Sequence, residues 1–187
     1  MDMLSAYTDA VRRNHERVDA IRADQLSDPT PCRDWDVREL LAHLIGGYEM
    51  FAAALGQPTP PGTSPTGTAD LTGRHRSVGE AAIAAFTAPD ALHHTLRLPI
   101  GDLPGHMALG LALTDAVVHG WDLATATGQD TTIDDALAAI LLTGAEQSIT
   151  AQMRQPDGAM PVFAPPVTIS PARPAADRLI AFLGRQP

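Results

Sequence analysis

Polar and apolar positions along this chain recur mostly with a helical period. Over residues 2–26, Leu4, Tyr7, Val11, Val18 and Ile21 are spaced by three, four and seven, with Arg12, Arg13, Glu16 and Arg17 between them. That spacing predicts an amphipathic helix. Ser27-Asp28-Pro29-Thr30-Pro31 breaks it, because proline lacks the N–H that a helix interior needs. Asp36 and Glu39 then stand in the D-x-x-E spacing of a capping box. Val37, Leu40, Leu41, Leu44, Ile45 and Tyr48 follow on one face, predicting a second helix that runs to about Leu55. Residues 56–73 are rich in Pro, Gly and Thr and have no period, so a surface loop is expected. A short Ala-rich helix is predicted over 77–88, ended by Pro89. Residues 92–100 are ambiguous, and the Leu96-Arg97-Leu98 alternation suits a short extended piece. A long helix is predicted over 105–127, closed by Gly128. Another is predicted over 133–154, with Asp134 and Asp135 suiting its first turn. The six prolines within 156–174 predict irregular chain, and 175–183 reads as a terminal turn or two packing Leu179, Ile180 and Phe182 inward.

Helices of this number and length joined by loops predict an all-α fold, an antiparallel four-helix bundle with extra short helices. No internal repeat or second-domain boundary is visible, so residues 1–187 are expected to form a single domain. The aromatic fraction is only 4%, so Ala, Leu, Val and Ile must fill the core. A net charge of −9 opposes binding to phosphate backbones, so nucleic acid is not an expected partner. All 13 basic residues are arginine, which excludes lysine Schiff-base chemistry. The single cysteine, Cys32, allows no intramolecular disulfide and no multi-thiolate metal site. The charged N-terminal stretch does not read as a signal peptide, and no apolar run approaches the ~20 residues of a membrane span. The expected location is cytoplasmic.

The long helix carries the chemistry. Each helical residue turns by about 100°, so with Asp115 at zero, His119 falls near 40° and Asp122 near −20°. The other side chains over 107–126 are apolar, Gly or Thr. A helix that is apolar all round is buried, which places three ionisable groups in one interior stripe. Isolated buried charges are costly and persist when paired or metal-bound. Asp115 and His119, four apart, can share one cation. On the second helix His43 lies at the edge of the apolar face, beside Gly46 and Gly47. The two glycines cost roughly 1 kcal/mol each and leave room for a ligand or a close helix. If the two helices pack face to face, His43, Asp115 and His119 converge as three N/O ligands with an open position, the catalytic pattern for zinc. Nickel or iron fits the same donors. The plainer alternative makes His43 a hydrogen-bonded boundary residue. Asp122 is open to three roles: a cap, a partner for an arginine, or an acceptor for an imidazole N–H.

The remaining candidates have plainer readings. Cys32 reads as a partly buried small residue, and His75 as a solvated loop residue. His93 and His94 face opposite ways in extended chain, and His106 is off the stripe. His15 is a reserve fourth ligand. Trp35 and Trp121 read as packing anchors beside the two ligand motifs. No Ser-His-Asp order, P-loop or dinucleotide glycine pattern is present.

Two segments carry a family likeness. Residues 30–47, from Thr30-Pro31-Cys32-Arg33-Asp34-Trp35 to His43-Leu44-Ile45-Gly46-Gly47, resemble the opening motif of the DinB-like superfamily. The likeness is closest to the actinobacterial branch related to the metal-binding N-terminal domain of mycothiol-dependent maleylpyruvate isomerase. Asp115-Ala116-Val117-Val118-His119-Gly120-Trp121-Asp122-Leu123-Ala124 resembles the other half of that family's metal site, and residues 177–185 resemble the branch as well. The resemblance implies a four-helix bundle and a divalent metal held by His43, Asp115 and His119. Asp115 stands where the isomerase has Glu, one methylene longer, and the isomerase has a second, C-terminal domain. Its substrate-binding residues have no counterparts that can be matched here. The implied function is metal-dependent activation of a low-molecular-weight thiol such as mycothiol, or of water, for transfer or isomerisation on a small electrophile. The alternative is a non-catalytic metal- or ligand-binding stress-response module. A homodimer is compatible with either.

Overall fold

The computed structural model describes residues 1–58, 68–154 and 163–187. It divides into two compact units, Met1–Thr131 and Thr132–Pro187.

In the first unit, α1 (Met3–Asp19), α2 (Val37–Ala54), α3 (Thr68–Thr87) and α4 (Gly105–Thr127) form a four-helix bundle. Helix α1 packs on α3 and α4, and α2 packs on the same two helices, so the four close into a ring. The core is mainly aliphatic, with Val11, Leu40, Leu41, Leu44, Leu113 and Leu123 almost wholly buried. Tyr7, Tyr48, Phe51, Phe86 and Trp121 supply its few aromatic rings, with Tyr7 and Phe51 both against Phe86.

The start of α2 follows the sequence closely. The Asp36 carboxylate accepts the Glu39 N–H at 2.9 Å, and the Glu39 carboxylate accepts the Asp36 N–H at 3.0 Å. Helix α4 ends at Gly128, whose φ of 71° is the left-handed conformation that glycine adopts without strain.

Three stretches of this unit differ from expectation, and in the second unit the helix expected over 133–154 spans only Asp135–Ser148. Helix α1 stops at Asp19, and a 3-10 turn, Ala23–Ser27, carries the apolar spacing on to Leu26. Helix α3 begins at Thr68, so the second part of the expected loop is helical. Residues 59–67 of that loop lie outside the described residues. The ambiguous stretch forms a small hairpin: β1 (Thr95–Leu98) pairs antiparallel with β2 (Gly101–Pro104), Leu96 opposite Leu103. Leu96 and Leu98 point inward, which accounts for their alternation.

The second unit holds α5 (Asp135–Ser148), a 3-10 turn at Ala151–Arg154, and α6 (Ala175–Phe182), with α5 against α6. Asp134 caps α5 by accepting the Leu137 N–H. The Arg154 guanidinium lies 4.6 Å from the Phe182 ring centre and donates to the Ala164 and Phe182 carbonyls. Part of the predicted proline-rich irregular stretch, residues 155–162, is not described. Among the described residues, no helix is long and apolar enough to cross a membrane.

Candidate metal centre

The candidate centre lies between α2, α4 and the loop that precedes α2. Helix α4 presents Asp115, His119 and Asp122 on one stripe, and α2 brings His43 against it. His43 Nε2 is 3.2 Å from Asp115 Oδ1, and His119 Nε2 is 3.4 Å from the same oxygen. The His43 and His119 rings meet edge to face, with centroids 4.7 Å apart. The expected three residues therefore come together, with ligand atoms close enough to share one ion. The His43 side chain keeps 38% of its surface exposed, so the group opens to solvent on that side.

Gly47 faces the Asp115 carboxylate. A Cβ there would stand 3.5 Å from Asp115 Oδ2, an ordinary contact that narrows the space beside the carboxylate. Gly46 faces open space, so no close helix accounts for it.

Asp122 is fully buried and takes the acceptor role. Its Oδ2 receives the His119 Nδ1–H at 2.9 Å. That hydrogen bond directs the other ring nitrogen, Nε2, at Asp115. The same Oδ2 lies 3.2 Å from Cys32 Sγ, the thiol donating. Burial alone would suppress charge on Asp115 and His119. For Asp115, the His119 charge and hydrogen bonds from both imidazoles outweigh burial and hold the carboxyl well below the usual carboxylate range. For His119, the Asp115 charge and hydrogen bonds to Asp115, Asp122 and Cys32 outweigh burial and raise it well above an ordinary histidine.

Two further contributors lie outside the expected ligand set: Trp35, expected as a packing anchor beside the first ligand motif, and Cys32, expected as a partly buried small residue. Cys32 and Trp35 sit in a closed turn: Thr30 N–H donates to the Trp35 carbonyl, Trp35 N–H donates to the Cys32 carbonyl, and Thr30 Oγ1 accepts the Cys32 N–H. The turn swings Trp35 over the centre, its ring 4.6 Å from His43 and 6.0 Å from His119. A turn has no periodicity, so only proximity to the α2 cap hinted at these residues.

His15 does not join the centre. It faces His75 across α1 and α3, Nδ1 to Nδ1 at 3.1 Å, which corrects the reserve-ligand reading. His75 is itself wholly buried in α3, not solvated in a loop. Burial lowers it to about 3, helped by the His15 and Arg76 charges. Gly79 makes room for the pair, since a Cβ there would overlap the His15 ring. His93, His94 and His106 are exposed and belong to no metal-competent group among the described residues.

A four-helix bundle with two imidazoles and a carboxylate converging between two helices defines an all-α class with a candidate N/O cation centre. Residues 7–124 match the family described as the mycothiol maleylpyruvate isomerase N-terminal domain, and the chain belongs to that family. Two uncharacterized proteins from Mycobacterium tuberculosis, of strains CDC 1551 / Oshkosh and ATCC 25618, are 38% identical over 99% of this chain and 98% of theirs. The fold is similar to a crystal structure of the mycothiol-dependent maleylpyruvate isomerase, with a TM-score of 0.60 and 16% identity, covering 84% of this chain and 77% of that one. A mutant of the same enzyme matches equally well in fold, at 15% identity. The DinB-like all-α architecture expected from the sequence is thus the fold adopted.

Proposed function

We propose that the chain binds one divalent cation through His43, Asp115 and His119. We further propose that it uses the cation to activate a low-molecular-weight thiol of the mycothiol type, or water, for transfer or isomerisation on a small electrophilic substrate. The observation that carries the reading is the convergence of two imidazole nitrogens on one carboxylate oxygen, at 3.2 and 3.4 Å. A tetrahedral N/O centre with bonds of about 2.0–2.2 Å has ligand–ligand edges of about 3.3–3.6 Å. The two imidazole–carboxylate distances are close to such edges. N/N/O donors suit zinc first, with nickel and iron as alternatives. The thiol is suggested by the family to which residues 7–124 belong.

When bound, such a cation with an open position lowers the pKa of a coordinated thiol or water. The chain's own residues do the rest. Asp122 fixes the His119 ring through Nδ1, so Nε2 is offered to the centre. Trp35 forms an apolar wall over both imidazoles and limits water on that side. The exposed flank of His43 leaves the approach for a small molecule.

The test is elemental analysis of untagged protein purified without chelator, beside His43→Ala, Asp115→Ala and His119→Ala. About one equivalent of zinc, nickel or iron is expected in the parent and a loss in each variant. The loaded protein is then assayed for turnover of a thiol with an electrophile. A folded parent that takes up no metal on reconstitution would sink the proposal. A metal without turnover would leave a non-catalytic binding protein.

A further inference from the structure

We infer that Cys32, His119 and Asp122 form a second, sulfur-containing cation site, joined to the first through the His119 ring. Three donors of different elements meet here. Asp122 Oδ2 is 2.9 Å from His119 Nδ1 and 3.2 Å from Cys32 Sγ, and the sulfur is 3.8 Å from the same nitrogen. With the metal–ligand bonds of zinc, about 2.3 Å to sulfur and about 2.0–2.2 Å to nitrogen or oxygen, a tetrahedral site has N–O edges of about 3.3–3.6 Å and sulfur edges of about 3.5–3.7 Å. The two edges at Asp122 are hydrogen-bonded and must open by a few tenths of an ångström when an ion replaces the two protons, while the sulfur–nitrogen edge already lies near its value.

The environment favours an ion at this point. Asp122 is a carboxylate with no exposed surface, and a buried carboxylate requires compensation by a cation or by donors. Here both donors carry protons that a metal displaces. Binding a divalent cation releases the thiol proton of Cys32 and the Nδ1 proton of His119, and nothing is oxidised or reduced. With the first centre also loaded, Asp115, Asp122, the Cys32 thiolate and the His119 imidazolate bring four negative charges to two divalent cations. The pair of sites is then neutral in an interior where net charge is costly. The thiolate selects softer ions, zinc or cadmium in preference to magnesium or calcium.

Because the second site shares His119 with the first, its bridged form rests on the reading of the first centre. Its own donors can be tested apart from it. The full chain is titrated with cadmium under reducing conditions, reading the stoichiometry and the sulfur-to-metal charge-transfer absorption. Cys32 is the only cysteine, so any such absorption reports that thiol alone. Two equivalents are expected in the parent, one of them giving the sulfur band. Cys32→Ser and Asp122→Asn should each lose the band and one equivalent, with far-UV circular dichroism confirming their folds. His43→Ala should lose the other equivalent and keep the band. One equivalent without a band overturns the second site and leaves the first standing. One equivalent with a band that survives in His43→Ala upholds the second site and overturns the first. One equivalent with a band that disappears in His43→Ala shows the thiol serving the first centre, which also overturns a separate site.

Discussion

At the scale of single residues, the centre depends on how each ligand is held. His43 is held by the Trp35 ring and His119 by a hydrogen bond to Asp122. Asp122→Asn keeps the shape but removes a charged acceptor. Loss of such support behind a ligating histidine typically weakens metal affinity by roughly 10–100-fold. We expect competitive chelator titration to show a loss in that range, and an unchanged affinity would remove Asp122 from the assembly. Gly46 yields the opposite kind of prediction. It lies at an exposed position of α2 with open space where a Cβ would go. Gly46→Ala should therefore stabilise the protein by up to about 1 kcal/mol through helix propensity, read as a raised midpoint in urea. A lowered midpoint would mean that the position has a steric role. The stripe of Asp115, His119 and Asp122 was legible in the sequence because charged residues on an otherwise apolar helix stand out. Trp35 was legible as an anchor beside the ligand motif, but the contact of Cys32 with Asp122 was not, because its place is set by hydrogen bonds within a turn.

At the scale of elements, helices with chemical start and stop signals were legible and those without were not. The Asp36–Glu39 box and the left-handed Gly128 mark real ends of α2 and α4. Helix α3 begins less plainly: it has Asp70 in its first turn, but it follows the Pro- and Gly-rich run and carries Gly73 soon after. Its N-terminal part therefore read as loop, and His75 with it. Ile21 is buried from the connection after α1 and Leu26 from the 3-10 turn, so their spacing continued the α1 pattern beyond the helix itself. The α2 box also links stability to the centre, because the same turn that caps the helix carries Cys32 and Trp35. Asp36→Ala should destabilise the protein by about 0.5–2 kcal/mol and shift the near-UV circular dichroism of tryptophan. Unfolding by urea and the aromatic spectrum together test this, and a stability loss with an unaltered spectrum would separate cap from turn.

At the scale of the whole molecule, the notable feature is polar interior away from the candidate centre. Among the described residues, Tyr7 Oη, His15 Nε2 and His75 Nε2 are buried without a hydrogen-bond partner. Tyr48 Oη faces Asn14 without a hydrogen bond of good geometry. The buried histidine pair ties stability to pH. His75 is lowered from 6.5 to about 3 in the fold, and burial lowers His15 too, with Arg76 and Arg12 acting in the same direction and Glu80 and Asp19 opposing. Below pH 6.5 the unfolded chain binds protons that the fold refuses, so stability falls as the pH drops from about 6.5 toward 3. Each such histidine contributes a slope of about 1.4 kcal/mol per pH unit at most. His75→Leu should flatten the decline in melting temperature between pH 7 and pH 5. An equally steep decline in the variant would mean that other groups govern acid sensitivity.

The position of Trp35 has an optical consequence. The chain holds two tryptophans, and Trp121 lies two residues beyond His119 while Trp35 stacks beside His43 and His119. The Trp35 emission therefore originates beside these histidines, and a protonated imidazole quenches a neighbouring indole. The protein carries its own lamp at the one place where its chemistry is expected, and any event that changes the charge of those rings should alter its brightness without an added dye.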